Sequence, residues 1–189
     1  MKRAELTRKL LEADRQSVWA FTPATFEALI GGAEPNYLKL MMTRLADQGV
    51  LVRAARGIYV NPYARSLPAD LRRGLIRFLR PREVSYVSLE AKLSEAGVIS
   101  QIATALTCMT TGSSGTFDTP WGIIEFTHTD RVIDVGTDVH HRGGVLEATV
   151  ARAARDLRRV GRNLGLIDPA VLAEVTTEEN QHAEQSFQP

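Results

Sequence analysis

Between Thr22 and Val60 the chain is punctuated so closely that few folds are open to it. Thr22 before Pro23 is a helix start, because a threonine hydroxyl caps free backbone amides and proline at the first helical position lacks a donor that would be unsatisfied there. Gly31-Gly32 stops that helix, and another begins near Glu34 and Pro35 and ends at Gly49. Ahead of both, Ala4 to Ala13 sets Leu6, Leu10 and Ala13 on one face and Arg8 and Lys9 elsewhere, which predicts a short amphipathic helix. After Gly49, Val50 to Val60 reads as two β-prone runs about a tight turn closed by Gly57, a hairpin that carries Arg53 and Arg56.

Helix, helix, turn, helix, hairpin is the order of a winged helix-turn-helix. On the third helix Leu38, Met41, Met42 and Leu45 recur at i, i+3, i+4 and i+7 and must face the core. The opposite side carries Asn36, Leu40, Thr43, Arg44 and Asp47, flanked by Tyr37 and Lys39. Such a set suits a major groove. Arginine pairs with guanine and asparagine with adenine, leucine or a threonine methyl touches the thymine methyl, and lysine or tyrosine holds phosphate. The expected DNA-binding residues are therefore Asn36, Tyr37, Lys39, Thr43 and Arg44 on the helix, with Arg53 and Arg56 on the wing.

Charge supports this reading. The net charge of +1 conceals a basic half and an acidic half: residues 1–82 hold fifteen Lys and Arg against seven Asp and Glu, and residues 83–189 hold eight against fifteen. A module carrying +8 is suited to a polyanion, since each phosphate contact adds a salt-dependent increment of affinity. With 44 % hydrophobic residues the chain can build folded cores, and its 189 residues are enough for two small domains. No apolar run approaches the roughly 20 residues needed to span a bilayer, and Glu5 and Glu12 interrupt any apolar signal core, so a cytoplasmic protein with no membrane partner is expected. Cys108, the single cysteine, lies in an apolar stretch and reads as core filler.

Ser66 to Arg82 has Leu71, Leu75, Phe78 and Leu79 at helical spacing among Arg72, Arg73, Arg77, Arg80 and Arg82, which predicts a connecting helix. Its arginines either extend a DNA surface or pair with the acidic half. Beyond it, Tyr86 to Ile99 starts extended, caps a helix at Ser88 and ends it at Gly97. Thr104 to Thr111 and Gly122 to Thr129 are β-prone runs separated by Gly112 to Trp121, which predicts a hairpin or meander with a long decorated loop. From Val145 to Arg162 a last long helix sets Leu146, Val150, Ala153, Leu157 and Val160 on one stripe and Arg152, Arg155, Arg158, Arg159 and Arg162 on the opposite one. This basic ridge stands on an otherwise acidic domain and is either a solvated helix face or a surface for RNA, phosphorylated protein or a protein partner. The whole reads as an α+β chain: an N-terminal winged helix-turn-helix domain over 1–66, a connecting helix over 67–82, a small α+β C-terminal domain over 83–175 and a polar, flexible tail over 176–189.

The strings YVSLEAKLSEAGVI, TTGSSGTFDTPWGIIEFTHT and LRRVGRNLGLID, together with LADQGVLVRAARGIYVNP in the wing, resemble the AbiEi family of abortive-infection antitoxins from about Arg44 to Asp168. The resemblance implies an antitoxin of a type IV toxin–antitoxin system that defends against phage. It further implies that the N-terminal domain binds and represses its own promoter and that the C-terminal domain counteracts an AbiEii-like nucleotidyltransferase toxin. Repressors often bind inverted repeats in pairs, so double-stranded DNA of that form is the expected partner, and the five arginines, read from the helix spacing, are the candidate antitoxin surface.

Other motifs point to no chemistry. Gly112-Ser113-Ser114-Gly115 is followed by no lysine and reads as a turn rather than a phosphate loop. His128, His140 and His141 fit no metal spacing, and Asp118, Glu125, Asp130 and Asp134 match no nucleotidyltransferase or nuclease pattern. No catalytic residue, metal or cofactor is expected. Two other functions fit the same residues: a winged-helix regulator whose C-terminal domain senses a ligand or dimerises, without a toxin, and an enzyme acting on RNA or protein that uses the winged helix to dock.

Overall fold

The computed structural model describes residues 3–185, with the side chains of 4–181. Among them the chain is a mixed α+β protein with seven α-helices and two sheets, divided into two compact units. One runs through Leu71 and includes Thr119–Trp121; the other comprises Arg72–Asp118 and the chain from Gly122 onward.

The first unit contains α1 (Arg3–Arg15), β1 (Ala20–Phe21), α2 (Pro23–Ile30), α3 (Pro35–Asp47), β2 (Val52–Ala55) and β3 (Ile58–Val60). Thr22 caps α2 as its position implies: its Oγ1 accepts from Thr25 N, and Thr25 Oγ1 accepts in return from Thr22 N at 2.7 Å. Glu34 caps α3 by accepting from Tyr37 N at 3.0 Å. Gly31 and Gly57 both occupy the left-handed region, at φ 87° and 75°, where a side chain would strain the backbone. The two-residue strand β1 has no sequence period to announce it; it pairs antiparallel with β3, Ala20 opposite Val60 and Phe21 opposite Tyr59, to give the order β1-β3-β2. Leu6, Leu10 and Ala13 of α1 and Leu38, Met42 and Leu45 of α3 join Phe21, Phe26, Leu51 and Tyr59 in one core, with Phe21 and Phe26 edge to face at 5.9 Å. Asp14 closes the unit by accepting from Arg65 N, Ser66 N and Ser66 Oγ; the Ser66 hydroxyl and then the two amides hold its carboxyl below the ordinary value.

The second unit contains α4 (Leu71–Leu79), β4 (Ser85–Val87), α5 (Leu89–Glu95), β5 (Ala105–Thr110), β6 (Gly115–Thr119), β7 (Gly122–His128), β8 (Val139–Arg142), β9 (Val145–Ala148), α6 (Val150–Val160), a 3-10 turn at Leu164–Leu166 and α7 (Pro169–Gln185). Its six strands follow the order β6-β7-β5-β4-β9-β8. Three expectations need correction here. β5 and β7 are not hairpin partners: they run parallel, Cys108 opposite Phe126, and the intervening segment supplies β6 as the outer neighbour of β7. Val145–Ala148 is not the start of the long helix but β9, paired antiparallel with β8 through the turn at Gly143-Gly144, both at positive φ. Residues 176–185 of the expected polar tail continue helix α7 instead of running on as irregular chain: Asp168 Oδ1 accepts from Ala170 N at 2.9 Å and Val171 N at the helix start, Val171, Leu172 and Val175 pack against the core, and within the segment Glu179 accepts from Val150 N at 2.7 Å. Residues 186–189, also assigned to that tail, lie outside the described residues.

The arginines of the connecting helix belong to the second unit. Arg73 pairs with Glu95 and Glu147, and Arg80 lies over Phe117 and Phe126 while donating to Ser113 O. Cys108 is fully buried, and burial pushes its thiol up, away from the reactive thiolate.

Candidate nucleic-acid interface and the arginines of the last core helix

The residues expected on the groove-facing side of α3 are all exposed: Asn36, Tyr37, Lys39, Thr43 and Arg44, with Leu40 among them. Leu38, Met42 and Leu45 anchor the other side in the core, so the orientation of α3 follows from its apolar stripe. Arg53 on β2 and Arg56 at the hairpin turn are exposed as well. Lys39, Arg44, Arg53 and Arg56 have no ion-pair partner among the described residues. A link joins helix to hairpin: the Thr43 hydroxyl donates to Lys39 O at 2.9 Å and lies 3.3 Å from Tyr59 Oη, and Tyr59 faces Arg53 across the ladder. The exposed side of α3 and the hairpin therefore adjoin. Thr43 is the one member of the set whose hydroxyl is committed within the protein.

The five arginines of the second unit do not form one solvated ridge. Arg152 is 6 % exposed and donates from Nε to Asp156 Oδ1 at 3.1 Å, from Nη1 to Asp138 Oδ2 at 2.6 Å and from Nη2 to Tyr86 Oη at 2.9 Å. Tyr86 Oη and Ser88 Oγ each donate to Asp156 Oδ2 at 2.9 Å. Ser88 stands at the start of α5 without capping it, because its hydroxyl is spent on that carboxylate. Burial, reinforced by Asp156, pushes the Tyr86 phenol far above its usual value; burial opposes the charge on Arg152, but Asp156 and its other partners outweigh it and keep the guanidinium firmly protonated. Arg152 is thus a structural ion inside the core and no part of a docking surface. The i, i+4 spacing to Asp156 was legible in the sequence as the signal for this.

Arg155 reaches Asp138, Arg159 reaches Asp130 at 3.4 Å, and Arg158 is exposed with no ion pair among the described residues. Arg162, past the α6 C-cap at Gly161, donates from Nε and Nη2 to the two oxygens of Glu90 at 2.8 and 3.0 Å and from Nη1 to Glu125. Asn163 Nδ2 adds a bond to Glu90 at 2.8 Å. Burial alone would raise the Glu90 carboxyl, yet the bonds from Arg162 and Asn163 prevail and hold it below the ordinary value. These four side chains, with Gln101, Ile102, Thr104 and Leu166, line a cavity of about 280 Å³. Glu90 and Asn163 escape sequence reasoning because their partner sits some seventy residues away.

His140 and His141 are exposed on β8, and His128 Nδ1 lies 2.8 Å from Gly112 O. Among the described residues no three His, Cys, Asp or Glu side chains converge to hold a metal ion, and no helix is long and apolar enough to cross a membrane. No protein-family model matches the chain, and no curated protein matches it.

Proposed function

We propose that the chain is a type IV antitoxin of the AbiEi kind, in which the first unit is a winged helix-turn-helix that represses its own promoter and the second counteracts a nucleotidyltransferase toxin. The observation that carries the DNA half is the set of exposed cations on α3 and the adjoining hairpin, Lys39, Arg44, Arg53 and Arg56, which make no ion pair among the described residues; five arginines of the basic half, Arg72, Arg73, Arg77, Arg80 and Arg82, lie in the second unit, so these four rather than the net charge of the half support the reading. Cations left without acidic partners are what a phosphate backbone requires, because a pair made within the protein would have to be broken on binding. The antitoxin half rests on the long strings of the second unit, from YVSLEAKLSEAGVI to LRRVGRNLGLID. On this reading the docking surface centres on Arg158, which is exposed and makes no ion pair among the described residues, flanked by the exposed Arg155 and Arg159, whose partners are Asp138 and Asp130, while Arg152 and Arg162 are themselves buried or half-buried on their carboxylates.

The test is whether a neighbouring reading frame encodes a nucleotidyltransferase and, if one does, co-expression of the full chain with it, scored by growth; absence of such a frame favours a regulator without a toxin. Relief of growth arrest supports the antitoxin; unrelieved arrest at comparable protein levels overturns it. A second reading, a winged-helix regulator whose second unit senses a small molecule, is favoured by the cavity at Glu90, Glu125, Arg162 and Asn163. It predicts promoter binding with no effect on the toxin.

A further inference from the structure

Leu40 has no hydrogen bond to offer, yet it stands at the centre of the exposed side of α3. Asn36 and Arg44 lie one turn before and after it at four-residue spacing, and Tyr37 and Thr43 flank it at three. Its side of the helix is turned away from the core stripe of Leu38, Met42 and Leu45, and it is 49 % exposed. A leucine so placed leaves apolar surface in water at a position where the rest of the face is polar. Thr43 beside it has turned its hydroxyl to Lys39 O and towards Tyr59, which leaves its γ-methyl as the group it can present.

A major groove offers polar edges from every base pair and, among the four standard bases, one apolar group, the C5 methyl of thymine. A leucine pressed against guanine O6 or cytosine N4 would strip those groups of water and return no hydrogen bond. Against a thymine methyl it buries apolar area on both sides.

We propose that Leu40, assisted by the Thr43 methyl, is a specificity-determining residue that reads a thymine methyl in the bound duplex, so that at one base pair of each half-site the chain selects a methyl rather than a hydrogen-bonding edge. The inference rests on the reading of the first unit as a DNA-binding winged helix. Lys39, Arg53 and Arg56 supply the positioning charge and Arg44 a polar contact to a base edge, while Leu40 supplies discrimination for a methyl that none of them provides.

The experiment uses the full chain. Its preferred duplex is selected from a random pool, and each thymine in it is then replaced singly by deoxyuridine, which removes the methyl and leaves every hydrogen-bonding group in place. Affinity should fall about fourfold at one thymine per half-site, the loss expected for one buried methyl, and remain level elsewhere. The Leu40→Ala chain, whose unfolding midpoint should match the parent because the residue is exposed, should bind the thymine duplex more weakly and be indifferent to deoxyuridine at that position. If every deoxyuridine substitution is neutral in the parent, the proposal is overturned. If the methyl effect survives undiminished in Leu40→Ala, another residue reads it and the assignment to Leu40 is overturned. If the chain selects no duplex from the pool, the DNA-binding reading itself fails, an outcome separate from the first two.

Discussion

The arginines of the first unit and those of α6 have the same chemistry and opposite circumstances. Arg44, Arg53 and Arg56 stand in solvent with no ion pair among the described residues, while Arg152 is buried among Asp138, Asp156 and Tyr86, and Arg162 is clamped by Glu90 and Glu125. A guanidinium in water is nearly indifferent to folding and available to a ligand. One removed from water is tolerable only with partners that restore its hydrogen bonds, and it then holds the fold together and is spent. Local charge density does not separate the two cases; the presence of acceptors within reach does.

The largest test of this contrast is Arg152→Ala. It strands Asp156 in the core, so unfolding free energy should drop by about 3–5 kcal/mol, while Arg44→Ala should change it by less than about 0.5 kcal/mol; denaturant titration of both chains measures the gap. Equal effects would break the comparison. On the proposed DNA-binding reading, affinity for the operator should show the reverse order: Arg44→Ala weakens binding by about 1–3 kcal/mol if the side chain reads a base, and unchanged affinity and sequence preference in a gel-shift or anisotropy titration would remove it from the interface. Glu90→Gln, which leaves Arg162 with a neutral acceptor, should cost about 1–3 kcal/mol of stability, again by denaturant midpoint. Smaller still, Arg53→Ala or Arg56→Ala should each lower the salt slope of DNA binding by about one unit while leaving sequence preference intact.

The gentlest test is acid. Asp14 and Glu90 are held below ordinary carboxyl values in the folded chain, Asp14 by Ser66 and the amides of 65 and 66, Glu90 by Arg162 and Asn163 against the effect of burial. A carboxyl with a depressed folded pKa contributes stability above its unfolded value, near 4, and loses it as pH falls through that value towards the folded one. Stability should therefore decline below about pH 5, and Asp14→Asn should make that decline shallower in urea titrations run from neutral to acid pH.

Much of the first unit was legible because its signals are local. Thr22-Pro23, Gly31, Glu34-Pro35 and Gly57 act within a turn of themselves, and the stripe of Leu38, Met42 and Leu45 orients α3 by spacing alone. β1 was not legible, since two residues carry no period and Ala20–Phe21 becomes a strand only when β3 arrives beside it. In the second unit the helical spacing of Leu146 with Val150 and Ala153 predicts one long helix from Val145, whereas Val145–Ala148 pairs with β8 across Gly143-Gly144 as a strand and the helix starts only at Val150. The parallel pairing of β5 with β7 had no local signature at all, because parallel neighbours are chosen by the sheet rather than by the turn between them.

The sequence by itself determined where the helices of the first unit begin and end, which side of α3 is apolar, and that positive charge gathers in the first half. Those properties depend on backbone capping, glycine conformations and side-chain period, all set within a few residues. Only the tertiary structure decided which arginines remain available. That depends on whether carboxylates from distant segments, Asp138 for Arg152 and Glu90 for Arg162, are carried to within hydrogen-bonding distance, and burial then turns a surface charge into a structural ion.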